Sequence, residues 1–120
     1  MDKITLVLGA SENPERYSNR AIRLLRSYEH PVYAIGLRAG KIEDVIIQTG
    51  MPAFENVDTV TLYLSYKNQK QYYDYILALK PNRIIYNPGA ENEELETLAE
   101  KNGIENLEAC TLVLLRTKQY

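Results

Sequence analysis

The chain has 120 residues, with 14 basic and 16 acidic side chains, a net charge of −2 and 45% hydrophobic composition. This is the length of one domain, with too little positive charge for a nucleic-acid-binding field and no acidic tail. The single cysteine, Cys110, excludes an internal disulfide framework, and no apolar run reads as a membrane span or secretory leader, so the expected setting is cytoplasmic, with neither membrane nor nucleic acid as partner.

In chain order, Ile4-Thr5-Leu6-Val7-Leu8 is a short apolar run that Gly9-Ala10-Ser11 ends, which predicts a strand followed by a turn. A helix follows, with Ser18 as its cap and Ile22, Leu24, Leu25 and Tyr28 on its buried face. It stops at Glu29-His30-Pro31, because the residue before a proline is pushed out of helical geometry. Val32-Tyr33-Ala34-Ile35 is a second strand leading into Gly36-Leu37-Arg38-Ala39-Gly40, and Val45-Ile46-Ile47 is a short extra strand before the turn at Gly50-Met51-Pro52. Residues 60–64 read as a third full strand, and residues 67–79 as a helix burying Tyr72, Tyr75, Ile76 and Leu79. The break at Lys80-Pro81-Asn82 precedes a fourth strand, Arg83-Ile84-Ile85-Tyr86. After Asn87-Pro88-Gly89-Ala90, Asn92 caps a helix carrying Leu95, Leu98 and Ala99, which Asn102-Gly103 closes. Residues 104–109 read as a final strand, and residues 112–115 either continue it or form a short helix.

Strands alternating with helices at short spacing predict an α/β fold: a single Rossmann-like domain with a parallel sheet of about five strands and helices on both faces. The exposed edges of so short a sheet would also suit a weak homodimer. Ten tyrosines stand beside one phenylalanine and no tryptophan. Those at 66, 72, 73 and 75 read as packed rings with wet hydroxyls rather than as a stacking platform for bases.

In such sheets ligands bind outside the carboxyl ends of the strands, where the strand order reverses. Loops leaving strands are therefore the candidates, whereas His30 falls on a loop entering one and has a surface or packing role. With one histidine, one cysteine and scattered carboxylates, no metal-ligand spacing or histidine-activated nucleophile is evident. In the first loop, Gly9 allows a tight turn, Ala10 and Ser11 keep the backbone open to a diphosphate, and the helix that follows points N–H groups and its positive dipole end at an anion. The loop is not the GxGxxG fingerprint, since Ser11 and Pro14 stand at its later glycine positions. The second loop discriminates further. A nicotinamide dinucleotide site expects an acid at the end of the second strand, but here Gly36-Leu37-Arg38 stands there with Lys41 nearby and no acid until Glu43. Arg38 would clasp a ribose phosphate, which favours coenzyme A or, less readily, NADP.

The runs Gly9-Ala10-Ser11, Asn13-Pro14-Glu15-Arg16 and Ser18, then Arg38, then Asn87-Pro88-Gly89-Ala90-Glu91-Asn92-Glu93, Gly103-Ile104 and Cys110 resemble the small bacterial CoA-binding proteins. Their fold is similar to the nucleotide-binding domain of the succinyl-CoA synthetase α subunit. Gly36-Leu37 replace the first two residues of an Asn-Pro-Arg that the family commonly carries, while Arg38 remains. The resemblance implies CoA or an acyl-CoA bound across the strand ends, and it assigns no reaction. Under it, Gly9, Ala10, Ser11 and the helix start at Ser18 and Asn19 would hold the diphosphate, with charge added by Arg16 and Arg20. Arg38 and Lys41 would take the 3′-phosphate. Ser65 and Tyr66 would line the groove, with the pantetheine arm running toward Gly89, Ala90 and Asn92. Cys110, if near the pocket, would exchange with the CoA thiol to form a mixed disulfide. The competing readings are an NADP-dependent oxidoreductase-like protein and a scaffold whose nucleotide pocket has degenerated.

Overall fold

The computed structural model describes residues 2–120. Seven strands form one sheet: β1 (Thr5–Ala10), β2 (Val32–Gly36), β3 (Gly40–Ile42), β4 (Val45–Gln48), β5 (Thr59–Leu62), β6 (Arg83–Tyr86) and β7 (Glu105–Glu108). Their spatial order is β3-β4-β2-β1-β5-β6-β7, parallel throughout except for β3, which pairs antiparallel with β4. The five strands expected from the alternation are thus joined by a hairpin, β3–β4, that extends one edge. β4 covers the short extra strand expected at residues 45–47 and runs one residue further, but β3 has only three residues and begins on a glycine, so its sequence carries no strand pattern.

The helices are α1 (Tyr17–Ser27), α2 (Tyr66–Gln69), α3 (Tyr73–Leu79), α4 (Glu93–Lys101) and α5 (Thr111–Arg116), with a 3-10 turn at Lys70–Tyr72 between α2 and α3. Both faces of the sheet are covered, so its central strands are buried on both sides and read as nearly continuous apolar runs. On one face Leu6, Leu8, Val60, Leu62 and Ile84 pack with Tyr73 and Ile76 of α3 and Leu95 and Ala99 of α4. On the other, Val7, Ala10 and Ala34 pack with Ile22 and Leu25 of α1, Leu115 of α5 and the hairpin residues Ile42, Val45 and Ile47. Alternation explains why Val7 faces away from Leu6 and Leu8. Ala10 shares the face of Val7 because the β1–β2 register steps from Leu8↔Ile35 to Ala10↔Gly36, skipping Gly9.

Two local expectations are corrected. α1 starts two residues earlier than the Ser18 cap implied: Arg16 is the N-cap residue, no side chain caps it, and Ser18 is buried inside the first turn. The preceding turn is instead closed by Asn13, whose N–H donates to Ser11 Oγ and whose Oδ1 and backbone O accept from the Glu15 and Arg16 N–H groups. The helix expected over residues 67–79 is interrupted by the 3-10 turn. It buries Tyr73 rather than Tyr72, because Gln69 and Tyr73 both turn inward to bond Asn92.

From β1 the chain runs outward to β2, β3 and β4, then returns to β5 on the other side of β1. The sheet's topological switch point therefore lies between β1 and β5, at the end where the glycine turn leaves β1.

Candidate functional site

The turn after β1 is shaped by a close backbone approach. Gly9 has φ +97°, and a Cβ there would lie 2.6 Å from the Tyr63 carbonyl oxygen, so only glycine lets the turn settle against the strand beside it. Gly36 at the end of β2 has the same kind of constraint, since a Cβ would overlap the Ala10 carbonyl oxygen. Asn19, wholly buried in α1, donates to the Ser11 carbonyl oxygen at 2.9 Å and accepts from Arg23 Nε at 2.8 Å. Its amide nitrogen thereby holds the turn, while its oxygen is engaged within α1.

Above these turns a cleft of about 660 Å³ opens across the switch point, within the range of small-molecule sites. Gly9, Ala10, Ser11 and Arg16 form one wall, Gly36, Leu37 and Arg38 a second, and Tyr63, Leu64 and Ser65 a third. Of the residues singled out from sequence, Gly9, Ala10, Ser11, Arg16, Arg38 and Ser65 line it. Ser18 and Asn19 lie beneath the turn, buried, rather than on the wall. Lys41 sits on β3 with its backbone N–H bonded to Glu12, and Tyr66 is exposed at the start of α2; neither lines the cleft.

The loop after β6 stands outside the lining as well. Gly89 donates its N–H to Glu91 Oε1, and the buried Ala90 accepts from Gln69 Nε2. Asn92 accepts from the Leu95 N–H as a helix cap while its amide donates to Gln69 Oε1 and Tyr73 Oη, at 2.9 and 2.8 Å. Asn87, also buried, donates to Thr61 Oγ1 and the Leu62 carbonyl and accepts from the Thr111 N–H, tying β6 to β5 and α5. Cys110 is half-buried at the N-cap of α5 and does not line the cleft. Among the described residues no cluster of three or more histidine, cysteine or acidic side chains is placed to hold a metal, and no helix is long and apolar enough to cross a membrane.

Several lining residues escaped the sequence reading: Glu12, Leu37, Tyr63, Asn68 and Tyr72. Leu37, 93% exposed at the lip, carries no pattern that marks it. Tyr63 could have been found, since it stands near the carboxyl end of the third strand expected over residues 60–64, where such clefts open. Its hydroxyl is buried without a hydrogen-bond partner, and burial pushes its pKa up; Thr61 and Thr111 close by bond each other at 2.8 Å. Tyr63 therefore stays protonated throughout the ordinary pH range.

The ends of two helices contrast electrostatically. α4 carries Glu93, Glu94 and Glu96 in its first turn, which complement its own dipole. α1 has no acid in its first turn; Arg16 stands at its N-cap, and Arg20 packs over the Tyr17 ring at 5.4 Å. Its first N–H groups have no helical acceptors, and no carboxylate within its first turn offsets its positive end.

An open, mostly parallel sheet with a cleft at its switch point, edged by a glycine turn that runs into a helix start, defines the doubly wound Rossmann-like class. The chain belongs to the CoA-binding domain family, whose model matches residues 3–116. It is similar to a crystal structure of an uncharacterised protein, with 44% identity and a TM-score of 0.97, the match covering 100% of this chain and 99% of that one. A protein of Thermus thermophilus, cell-free ID.343, shares the fold at 20% identity and a TM-score of 0.86, covering 99% and 91% of the two chains. A dinucleotide-forming acetyl-coenzyme A synthetase 1 of Ca. Korarchaeum cryptofilum, in complex with phosphate and ADP, also shares it at 20% identity and a TM-score of 0.73, over 89% of this chain and 25% of that one. No protein of curated function matches the chain.

Proposed function

We propose that the cleft binds coenzyme A or an acyl-CoA, and that the protein carries or senses this ligand without transforming it. The observation that supports this most directly is the convergence of the Gly9–Ser11 turn and Arg38 on one cleft, from two different strands. The residues present fit the parts of the ligand. The turn and the positive end of α1 suit a diphosphate, with Arg16 adding charge. Arg38, exposed and without an acidic partner among the described residues, suits the ribose 3′-phosphate, for which its planar fork of donors is matched. The pantetheine arm would leave past Ser65 toward the loop of Gly89, Ala90 and Asn92. A binding role is favoured by the make-up of the cleft, whose ionisable lining consists of Glu12, Arg16, Arg38 and two tyrosines. The acetyl-coenzyme A synthetase that shares the fold is consistent with a CoA-type ligand on this scaffold.

The test is thermal unfolding with CoA, acetyl-CoA, dephospho-CoA, NADP and NAD. At a hundredfold excess over its dissociation constant the true ligand stabilises the fold by about 2.7 kcal/mol, a shift of several degrees. CoA and acetyl-CoA should stabilise, dephospho-CoA less, and Arg38→Ala should erase that difference. An equal response to NAD, or none to CoA, would refute the assignment.

A further inference from the structure

Sequence alone finds no acid near the end of β2, but the fold supplies one from elsewhere. Glu12, in the loop after β1, lines the same cleft as Gly36, Leu37 and Arg38. Its Oε2 accepts the backbone N–H of Lys41 at 2.9 Å, across from the first loop to β3. The carboxylate rests against the face of Gly40, where any Cβ would overlap its Cδ. One carboxylate oxygen is thus pinned, while the other has no hydrogen-bond partner among the described residues. Neither Glu12 nor Arg38 takes part in an ion pair among those residues, so an acceptor-only group with one oxygen unengaged and a donor-only group line the same cleft.

In doubly wound folds an acid at the end of the second strand receives ribose hydroxyls. A carboxylate accepts from a hydroxyl and repels a phosphate, whereas a guanidinium does the reverse. A cleft lined by one of each is complementary to a ribose carrying one hydroxyl and one phosphate. We propose that Glu12 is a specificity residue of the cleft, its carboxylate receiving the ribose 2′-hydroxyl of a 3′-phosphorylated adenosine whose phosphate pairs with Arg38. This inference rests on the CoA reading and specifies how the ribose is recognised. It also explains why β2 ends without an acid of its own: the carboxylate arrives from the preceding loop, and Gly40 leaves the space for it.

Calorimetric titration with CoA and with 2′-deoxy-CoA tests this in the wild type, Glu12→Gln and Gly40→Ala. Glu12→Gln keeps a carbonyl oxygen for the Lys41 N–H but removes the charge. Gly40→Ala leaves residue 12 intact and displaces its flexible end. Wild type should prefer CoA by about tenfold, the worth of a hydrogen bond to a charged group. Both variants should retain the fold, checked by circular dichroism, and lose most of that preference. If wild type binds the two ligands equally, or if Glu12→Gln discriminates as wild type does, Glu12 only ties the hairpin and this inference fails while the CoA reading stands. If wild type binds neither, the CoA reading itself fails, and this inference with it.

Discussion

Gly9 and Gly89 share nearly the same backbone twist, φ +97° and +94°, in unlike surroundings. Around Gly89 nothing lies within 4 Å of where a Cβ would stand, so Gly89→Ala should cost only the left-handed strain, about 1–2 kcal/mol. At Gly9 the Cβ would meet the Tyr63 carbonyl at 2.6 Å, and Gly9→Ala should cost about 3 kcal/mol or more in urea unfolding and abolish stabilisation by CoA. Equal costs at the two sites would show that the close approach to Tyr63 is unimportant. Gly9 was legible because a glycine directly after an apolar run marks a turn. Gly36 was not, since its constraint comes from the Ala10 carbonyl on a neighbouring strand, and no local pattern records a contact across strands. Glu12 escaped for the same reason: its partners, Gly40 and Lys41, lie beyond the next helix and strand.

Two residues offered themselves as helix caps, and the elements they belong to treat them differently. Asn92 caps α4 and also bonds Gln69 and Tyr73, joining the start of α4 to α2 and α3. Ser18 makes no cap bond, because the turn closed by Ser11 and Asn13 lets α1 begin at Tyr17. Asn92→Ala should therefore cost about 2 kcal/mol or more, and Ser18→Ala within about 0.5 kcal/mol, both read from urea midpoints at constant m. A Ser18→Ala cost near 1 kcal/mol would restore the cap. Asn87 behaves like Asn92. The sequence marks it only as part of a loop, yet its amide joins β5, β6 and α5, and Asn87→Ala should cost about 1–3 kcal/mol for each buried group left unpaired. Order and type of the main elements were readable because the apolar periodicity is local. The 3-10 turn at Lys70–Tyr72 and the strand β3 were not, since tertiary hydrogen bonds and edge pairing define them.

For the molecule as a whole, two titratable groups at the edge where the strands begin, His30 and Asp58, link stability to pH. His30 Nδ1 accepts the Lys3 N–H at 2.9 Å, and its ring packs 4.9 Å from that of Tyr120, which also lies over Arg83. Burial, with Lys3 and Arg83 nearby, holds its pKa below the usual 6.5 despite Asp2. The unfolded chain then takes up the proton first, so stability is complete above 6.5 and drains as pH falls through the lowered folded value. Asp58 opens a second window. Burial works against its charge, but hydrogen bonds from Thr59 and Asn82, with Lys3 and Arg83, prevail and keep its pKa below 3.8. Its share persists above 3.8 and is lost only on further acidification. Urea midpoints measured from about pH 7 to about 5 should decline, and decline less in His30→Gln; identical profiles would dismiss the histidine as the source. At the opposite end of the sheet, Glu12 occupies the volume that a side chain at position 40 would claim. The two positions are therefore not independent letters. A library randomised at both and sorted for ligand capture should return glutamate at 12 almost always in company with glycine at 40, with bulkier choices at 40 surviving only beside shorter ones at 12.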